Sequence, residues 1–479
     1  MTIPTRAEGE RTIQDRFDAV SPLDSRFYGG DAALHAELHP YLSADGQVRY
    51  QARVEAALAR AFAQAGLCAV SVADEIAAAC EAVTAAEVAE EETRTRHDVR
   101  ALVNLIRARV EGDAKRFVHL GATSYDIVDT ANALRYRDCV ERVLLPRLGA
   151  VAARLIALAE CEAESTQAGR THGQHAVPIT FGFAAAEYVS RLGGRMLTLR
   201  AAARALPGKL SGAVGAYNAT SLLVADPRAL EARFLSSLGL AHGSHSTQIV
   251  EPEGWADLAH ACATALGVMA NLADDVRHLQ RTEIAEVAEA FASSEQVGSS
   301  TMPQKRNPVS FENVKSMWKA FAPRVLTTLL DQISEHQRDL TNSASQRFTG
   351  ELLAATAYAA KRLADSLDGI RVDRERMREN LALSRGGIVA EALYVLLAKH
   401  GHADAHEAVR RLVLEAERGG RALLEVARHD EEVRVTLAKL SSKERRVLER
   451  PREYRGLAAE VARDVAAAWR ERLAGLLPE

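Results

Sequence analysis

A short polar segment combines residue types that could perform acid–base chemistry, in a chain otherwise rich in helix formers. The segment reads GSSTMPQKRNP and carries Ser299, Ser300, Met302, Lys305 and Asn307. A Gly-Ser-Ser turn can open and close over a ligand, while a lysine ammonium and an asparagine amide can stabilise developing negative charge. A surface loop would need the glycine and the prolines, but it would not need this order of polar side chains.

Three further polar segments interrupt the helical pattern, each at the end of an apolar stretch. The first consists of TRHDV and HLGATSYD, which contain His97, Asp98, His119, Thr123 and Ser124. The second is RTHGQHAVP, which contains His172, and the third is QRDLTNSASQR, which contains Arg338, Ser343 and Arg347. Threonine and serine commonly cap helices, and a helix start with free N–H groups is equally a carboxylate site. Two arginines and a hydroxyl could grip a phosphate, although such a trio also occurs on solvated helix faces.

Two histidines of the second segment, His172 and His175, lie three residues apart and raise the question of a metal site. The sequence offers no third ligand at suitable spacing, and Pro178 would end a helix soon afterwards. Taken alone, His97 is more simply a surface histidine at a helix N-terminus. The sequence therefore predicts neither a metal nor a cofactor.

Helical periodicity with almost no internal proline dominates the rest of the chain. It predicts helices at about 130–168, 181–204, 253–291, 311–335 and 350–368, and no run of alternating strand pattern occurs. The clearest seam after Gly254 comprises Leu258, Cys262, Ala265, Met269, Leu272, Val276 and Leu279. The sequence predicts an all-α fold with an N-terminal helical unit (1–122), a long-helix bundle (123–370) and a C-terminal helical unit (371–479).

Composition limits the classes of partner. The formal net charge of −4 gives no basic footprint for nucleic acid. No run of about 18 apolar residues occurs, and the first residues lack a signal-peptide core, so no membrane partner is expected. Five separated cysteines without a CxxC pair indicate reduced thiols. We expect a soluble, cytoplasmic protein.

The segment GSSTMPQKRNP matches without a mismatch the GSSxMPxKxNP signature of the fumarase/aspartase superfamily, and the chain resembles that superfamily. Thr123–Ser124 and Thr171–His172 follow the superfamily's order and approximate separation. Within it, THGQHAVPITFG, TRHDV, HLGATSYDIVDT and RDLTNSASQR are similar to the adenylosuccinate lyase family, from about residue 16 to near the end. The resemblance implies three helical domains around a central bundle, and cleavage of a C–N bond with release of fumarate.

The resemblance also implies roles for individual residues. Ser299 would be the base, His172 the acid, and Glu312 the carboxylate that orients the acid. Lys305 and Asn307 would hold the succinyl carboxylates together with Thr123 and Ser124. The remaining implied substrate contacts are His97, Asp98, His119, Gln248, Ser300 and Met302.

The nucleotide phosphate would be bound by Arg338, Ser343, Arg347 and Arg26. Here the chain departs from the family, which has an Arg-Tyr pair: Phe27 follows Arg26, and Tyr28 comes one residue later. Tyr125 also stands where a small residue is common.

The resemblance predicts adenylosuccinate and the related succinyl-carboxamide ribotide as small-molecule substrates, no cofactor, and a homotetramer with shared active sites. Two alternatives stay open. Another fumarate-releasing lyase, such as argininosuccinate lyase, or a cycloisomerase shares the scaffold, but those substrates carry no phosphate. A non-catalytic structural tetramer would not need the complete set of Ser299, His172, Lys305 and Glu312.

Overall fold

Helices dominate the computed structural model, which describes residues 19–291, 295, 298–339 and 341–477. The N-terminal part contains α1 (Pro22–Ser25), α2 (Ala32–Leu42), α3 (Ala44–Gln64), α4 (Val70–Glu81), α5 (Ala85–Thr95), α6 (Asp98–Ala108) and α7 (Ala114–Phe117). Local chemistry sets several of these starts: the side chains of Asp31, Ser43 and Thr84 each accept a backbone N–H in the first turn that follows.

The central part forms a long-helix bundle. It contains α8 (Ser124–Cys139), α9 (Leu145–Cys161), β1 (Thr166–Thr171), β2 (Gln174–Thr180), α10 (Phe181–Arg204), α11 (Pro227–Ser237), α12 (Glu253–Leu279), β3 (Val287–Ala288), α13 (Val309–Phe321), α14 (Arg324–Leu330) and α15 (Thr349–Asp368). Helix α10 packs against α9 and α12, and α12 packs against α13 and α15. One continuous apolar core joins this bundle to the N-terminal helices.

The predicted all-α fold is confirmed, and α10 and α15 reproduce two of the predicted helices almost residue for residue. The apolar seam after Gly254 is also confirmed, since Leu258, Cys262 and Met269 are fully buried on α12. Helix α12 nevertheless ends at Leu279 rather than near 291. Pro323 divides the helix predicted at 311–335 into α13 and α14.

Although the sequence contains no run of alternating strand pattern, β1 and β2 form an antiparallel hairpin between α9 and α10. The predicted helix to residue 168 ends at Cys161 instead. The two strands pair in register from Thr166 with Thr180 to Thr171 with Gln174, and a bulge lies between Ala168 and Arg170. The hairpin is held by backbone hydrogen bonds between β1 and β2, so it does not require alternating apolar residues. The periodicity within one segment does not show that this segment pairs with another.

The C-terminal part contains β4 (Arg371–Val372), α16 (Arg374–Ala382), α17 (Ala390–Lys399), α18 (Ala405–Gly419), α19 (Leu423–His429), α20 (Glu431–Leu437), α21 (Ser442–Glu449) and α22 (Ala458–Ala474). Most of these helices share a second apolar core of their own. The last helix, α22, instead packs against α9 and α10 in the bundle. The boundaries near residues 122 and 370 stay predictions.

Membrane-spanning length and apolarity are not combined in any single helix of the described ranges. One pair, Arg374–Ala382 with Gly387–Lys399, passes the length and composition test together, across a bend of 82°.

Candidate functional site

The predicted site residues divide between two ends of the bundle. Helix α8, the π-helical turn Val140–Leu144 and α9 follow one another without a break. At about 1.5 Å per residue this rod is roughly 55 Å long. Thr123 and Ser124 stand at its beginning, whereas the β1–β2 hairpin with His172 follows its end. One chain therefore cannot bring these residues into one pocket.

At the first end, two helix starts meet. His97 precedes α6 and accepts the backbone N–H of Arg100 on Nδ1 at 3.2 Å. Its Nε2 lies 3.4 Å from Oγ of Ser124, the first residue of α8. The Asp98 carboxylate accepts the backbone N–H of the next residue, Val99, at 2.8 Å. Because the positive dipole ends of both helices are directed here, the junction suits an anion.

A buried ion pair lies beneath Thr123 and Ser124. Asp126 and Lys209 are fully buried, and the Lys209 ammonium donates to the Asp126 carboxylate. The same carboxylate accepts the backbone N–H groups of Thr123 at 2.8 Å, Ser211 at 3.1 Å and Gly212 at 3.2 Å. A buried charge is tolerated only when paired and hydrogen-bonded in this way. The pair fixes the start of α8 to the loop after α10.

His119 also lies at this end, bonded to a buried carboxylate on α3. Its Nδ1 is 2.6 Å from Oε1 of Glu55, whose side chain is almost completely buried. Burial alone would lower the pKa of His119, but the charge and hydrogen bond of Glu55 outweigh burial and raise it above 6.5. Glu55 therefore favours the protonated form of the His119 ring at this end of the bundle.

This pair gives a testable pH dependence of stability. Because the folded-state pKa of His119 is raised, its contribution is fully present below pH 6.5 and is lost as pH rises through the raised pKa. We expect Glu55→Gln to lower the urea midpoint of unfolding most at pH 6 and progressively less at higher pH, at one protein concentration. The matched control is the exposed Glu90→Gln. An equal loss for Glu55→Gln at every pH would contradict the assignment.

Gln248 lies in a segment tied to α8. The carboxylate of Asp129, one turn after Tyr125 on α8, accepts the backbone N–H of Val250 at 3.0 Å. Burial raises the pKa of Asp129 to about 6, although that hydrogen bond and the nearby Lys209 oppose the effect. The hydrogen bond holds the Gln248 segment beside the start of α8.

The predicted phosphate residues follow α14 and approach the same end. Arg338 stacks on the ring of Tyr125, with its Cζ 3.5 Å from the ring centroid, and donates from Nη2 to the tyrosine hydroxyl at 2.6 Å. Ser343 and Arg347 are exposed on the same segment, just before α15. Arg26 is exposed at the end of α1, which packs against α15.

The departure at Phe27 has a structural counterpart. The Phe27 ring packs against Tyr358 of α15, with centroids 5.2 Å apart. The hydroxyl of the following Tyr28 donates to Asp24 in the same turn. Phe27 is therefore used in packing against α15, and the Tyr28 hydroxyl is used in a hydrogen bond within its own turn.

At the second end, His172 occupies the tip of the hairpin. His172 and Gly173 form its two-residue turn, with φ of 52° and 72°. Positive φ at both positions is the geometry of a type I′ turn, which matches the twist of paired strands and favours glycine at the second position. The turn leaves the His172 side chain exposed.

The base of this hairpin is anchored by one buried carboxylate. Glu286 accepts from both terminal nitrogens of Arg170, at 2.6 and 3.1 Å, and from Gln167 at 2.7 Å. Asn380 of α16 donates to it as well, at 2.8 Å. This network joins the hairpin to the segment after α12 and to the C-terminal helices, so the imidazole stands on a rigid support.

The polar segment with Ser299 lies between β3 and α13. The Ser299 hydroxyl oxygen accepts the backbone N–H of Met302 at 3.1 Å and of Thr301 at 3.4 Å. Asn307 Nδ2 donates to the Gly298 carbonyl at 2.8 Å and closes the segment into a loop. A Cβ on Gly298 would collide with the Lys305 carbonyl, so only glycine permits this approach.

The functional side chains of this loop face outward. Ser300, Met302 and Lys305 are exposed. Glu312, in the first turn of α13, is half exposed and lies 3.6 Å from the Arg277 guanidinium. Within the described residues, no hydrogen bond or ion pair joins Glu312 to His172.

Known proteins resemble this chain over most of its length. The lyase family model matches residues 32–320, and the model for the adenylosuccinate lyase C-terminal region matches residues 334–444. A curated adenylosuccinate lyase from Methanothermobacter thermautotrophicus is 36% identical, over 87% of this chain and 92% of its own length. One from Pyrococcus horikoshii is 35% identical over 93% and 97%. The chain belongs to the adenylosuccinate lyase family.

Solved structures place this family member on the expected scaffold. A fumarate lyase from Mesorhizobium is 28% identical with a TM-score of 0.77, covering 90% of this chain and 97% of its own. A 3-carboxy-cis,cis-muconate lactonizing enzyme from Pseudomonas putida is 27% identical, also with a TM-score of 0.77, over 92% and 98%. The chain is a carbon–nitrogen lyase with the fumarase/aspartase fold.

Several supporting residues of this adenylosuccinate lyase family member are not revealed by motif spacing. Lys209 lies in the glycine-rich stretch GKLSGAVG, and a single lysine among small and apolar residues is the only sequence feature there that indicates a buried charge. Glu55 lies on the apolar face of α3 and Glu286 after α12; a charged residue within a buried stretch is the general signal for such partners. Among the described residues, no group of three or more His, Cys, Asp or Glu side chains could hold a metal ion.

Proposed function

We propose that this protein eliminates fumarate from adenylosuccinate, giving AMP, and from the succinyl-aminoimidazole carboxamide ribotide of purine synthesis. A base removes the proton from the succinyl carbon beside a carboxylate. The C–H electron pair becomes the new C=C bond as the C–N bond breaks, and an acid protonates the nitrogen that leaves. Since negative charge builds up on the carboxylate, fixed cations and N–H groups around it lower the barrier.

Ser299 is the proposed base. A serine hydroxyl is a poor base in water, and it must be ionised by its surroundings. The two backbone N–H groups directed at its oxygen, from Met302 at 3.1 Å and Thr301 at 3.4 Å, favour the alkoxide over the alcohol. Lys305 in the same loop supplies the cation. Exclusion of water when the loop covers the substrate strengthens all three interactions.

His172 is the proposed acid, with Glu312 as the carboxylate that orients it. The tight turn and the Glu286 network hold the imidazole in an outward position, ready to meet a substrate bound by another surface. In the single chain Glu312 interacts with Arg277. The pairing of His172 with Glu312 is therefore proposed to form between subunits.

Association of subunits into a homotetramer brings the two ends of the bundle together. The bundle rod separates Ser124 from the hairpin by roughly 55 Å in one chain. Antiparallel association would place the first end of one subunit beside the second end of another. Helices α13 and α14 with the following turn offer an apolar face for it: Trp318, Leu326, Leu329, Leu330 and Ile333 are all exposed.

The observation that carries the choice of substrate is Arg338 beside the start of α8. The two helix starts at His97 and Ser124 suit a carboxylate, and Arg338 offers a planar cation for a phosphate at the same end. Argininosuccinate and carboxymuconate have no phosphate for this arginine. A substrate with a succinyl group at one end and a phosphate at the other fits both features.

The test is direct. We expect purified protein to convert adenylosuccinate to AMP and fumarate. The change in ultraviolet absorbance measures the rate, and chromatography identifies the AMP. Argininosuccinate at the same concentration is the comparison substrate, and no turnover is expected with it. Turnover of argininosuccinate without turnover of adenylosuccinate would replace this proposal by the first alternative. Inactivity on all of these substrates would favour the structural tetramer.

We also propose that the enzyme works in the cytoplasm. All five cysteines are free, and Cys80, Cys139 and Cys262 are buried. Burial raises the pKa of each of these three thiols, so they are unreactive hydrophobic side chains. Unpaired thiols are typical of reducing compartments.

A further inference from the structure

Tyr125 makes an unusual double contact with Arg338. Its ring lies under the guanidinium, at 3.5 Å from Cζ to the ring centroid, and its hydroxyl accepts from Nη2 at 2.6 Å. Arg338 Nε donates to the Asp339 carbonyl at 2.7 Å. Two of the three guanidinium nitrogens are thus held by the protein, and the plane of the group is fixed.

The third nitrogen is left for a ligand. Arg338 Nη1 is buried, and within the described residues it has no hydrogen-bond partner. A buried donor of a charged group is costly unless it is satisfied, so it is a strong candidate to donate to an anion. The anchor is a phenol and not a carboxylate, so the group that holds Arg338 adds no carboxylate in competition with that anion.

The contact also joins two parts of the pocket. Tyr125 is the second residue of α8 and follows Ser124, whereas Arg338 belongs to the segment after α14. The tyrosine therefore sets the distance between the helix start that suits the carboxylates and the arginine that suits the phosphate.

We propose that Tyr125 is a positioning and specificity residue, which holds Arg338 with Nη1 free for the phosphate of the substrate. This inference rests on the proposed function and deepens it. Tyr125 acts through Arg338, so its removal should weaken recognition of the phosphate and leave the chemical step intact.

The test compares Tyr125→Phe, which keeps the stack and loses the hydroxyl, with Tyr125→Leu, which loses both. We expect the KM for adenylosuccinate to rise about threefold in Tyr125→Phe and roughly twentyfold in Tyr125→Leu, while kcat changes less than about twofold in either variant. By calorimetry, we expect the affinity for AMP to fall by similar factors, with the affinity for adenosine unchanged. The control is Tyr50→Phe, which removes a hydroxyl that donates at 2.8 Å to Asp138 on α8, the helix of Tyr125. This variant should change the affinity for neither AMP nor adenosine.

The outcomes separate the inference from the proposed function. Equal losses for AMP and adenosine, or a fall in kcat with an unchanged KM, would show a merely structural role and overturn the inference. An unchanged AMP affinity in Tyr125→Leu would overturn it as well. If the wild-type protein binds AMP better than adenosine but fails to cleave adenylosuccinate, the proposed reaction is wrong, and loss of the AMP preference in Tyr125→Leu would still support the role of Tyr125.

Discussion

Replacing Ser299 by alanine is expected to abolish turnover of adenylosuccinate while leaving its binding largely intact. The variant lacks the proposed base, whereas the groups proposed to bind the substrate remain in place. We expect kcat to fall by about 10³-fold or more, because removal of a catalytic nucleophile or base lowers kcat by such factors in other enzymes. Single-turnover kinetics measure the chemical step, and calorimetry measures the dissociation constant of the substrate.

Ser300→Ala is the matched control, because it removes the same atoms from the adjacent position of the same loop. Ser300 is exposed, and it is proposed to contact substrate, so a moderate rise in KM with most of kcat retained is expected. If Ser299→Ala keeps a near-normal kcat, Ser299 is not the base. If Ser299→Ala loses binding to the same extent as turnover, its hydroxyl supports the loop and not the proton transfer.

Two inactive variants are expected to restore activity when they are assembled together. His172→Gln removes the proposed acid at one end of the bundle, and Arg338→Glu reverses the charge for the phosphate at the other. Each variant alone should lose at least about a hundredfold in kcat/KM. After joint unfolding and refolding in equal amounts, the two variants should mix at random in the proposed tetramer. About half of the sites then receive an intact His172, and about half of those receive an intact Arg338 from another chain, so about a quarter of the wild-type activity should return.

The control for complementation is the double variant His172→Gln/Arg338→Glu, refolded with wild-type chains in equal amounts. If one site takes the two residues from different subunits, about a quarter of the wild-type activity should remain; if one subunit supplies both, about half should remain. No recovery in the first mixture, together with half activity in the second, would contradict sites shared between subunits.

The chain's helices and its family could be predicted from sequence, because both depend on local patterns. The seam from Leu258 to Val276 requires only a regular spacing of apolar residues, and α12 buries it. The signature around Ser299 is a continuous run of residues. The β1–β2 hairpin could not be predicted in this way, since its stability comes from pairing across the turn at His172–Gly173 and from the Glu286 network.

Buried polar partners mark the same limit within the candidate site. The sequence indicates Thr123 and Ser124 as an anion site, but it does not indicate that Lys209 and Asp126 lie beneath them. Tyr125 is visible in the sequence only as an unexpected residue beside Ser124. Its contact with Arg338 spans more than two hundred positions, and no spacing rule relates them.

By itself the sequence determined the helical fold, the lyase family and the set of residues from which a site can be built. These follow from periodicity and from contiguous motifs, which are properties of neighbouring residues. Only the tertiary structure decided which of those residues share an end of the bundle. A helical rod of roughly 55 Å keeps Ser124 and His172 apart in every single chain, and this rigidity is the physical reason to expect the complete site between subunits.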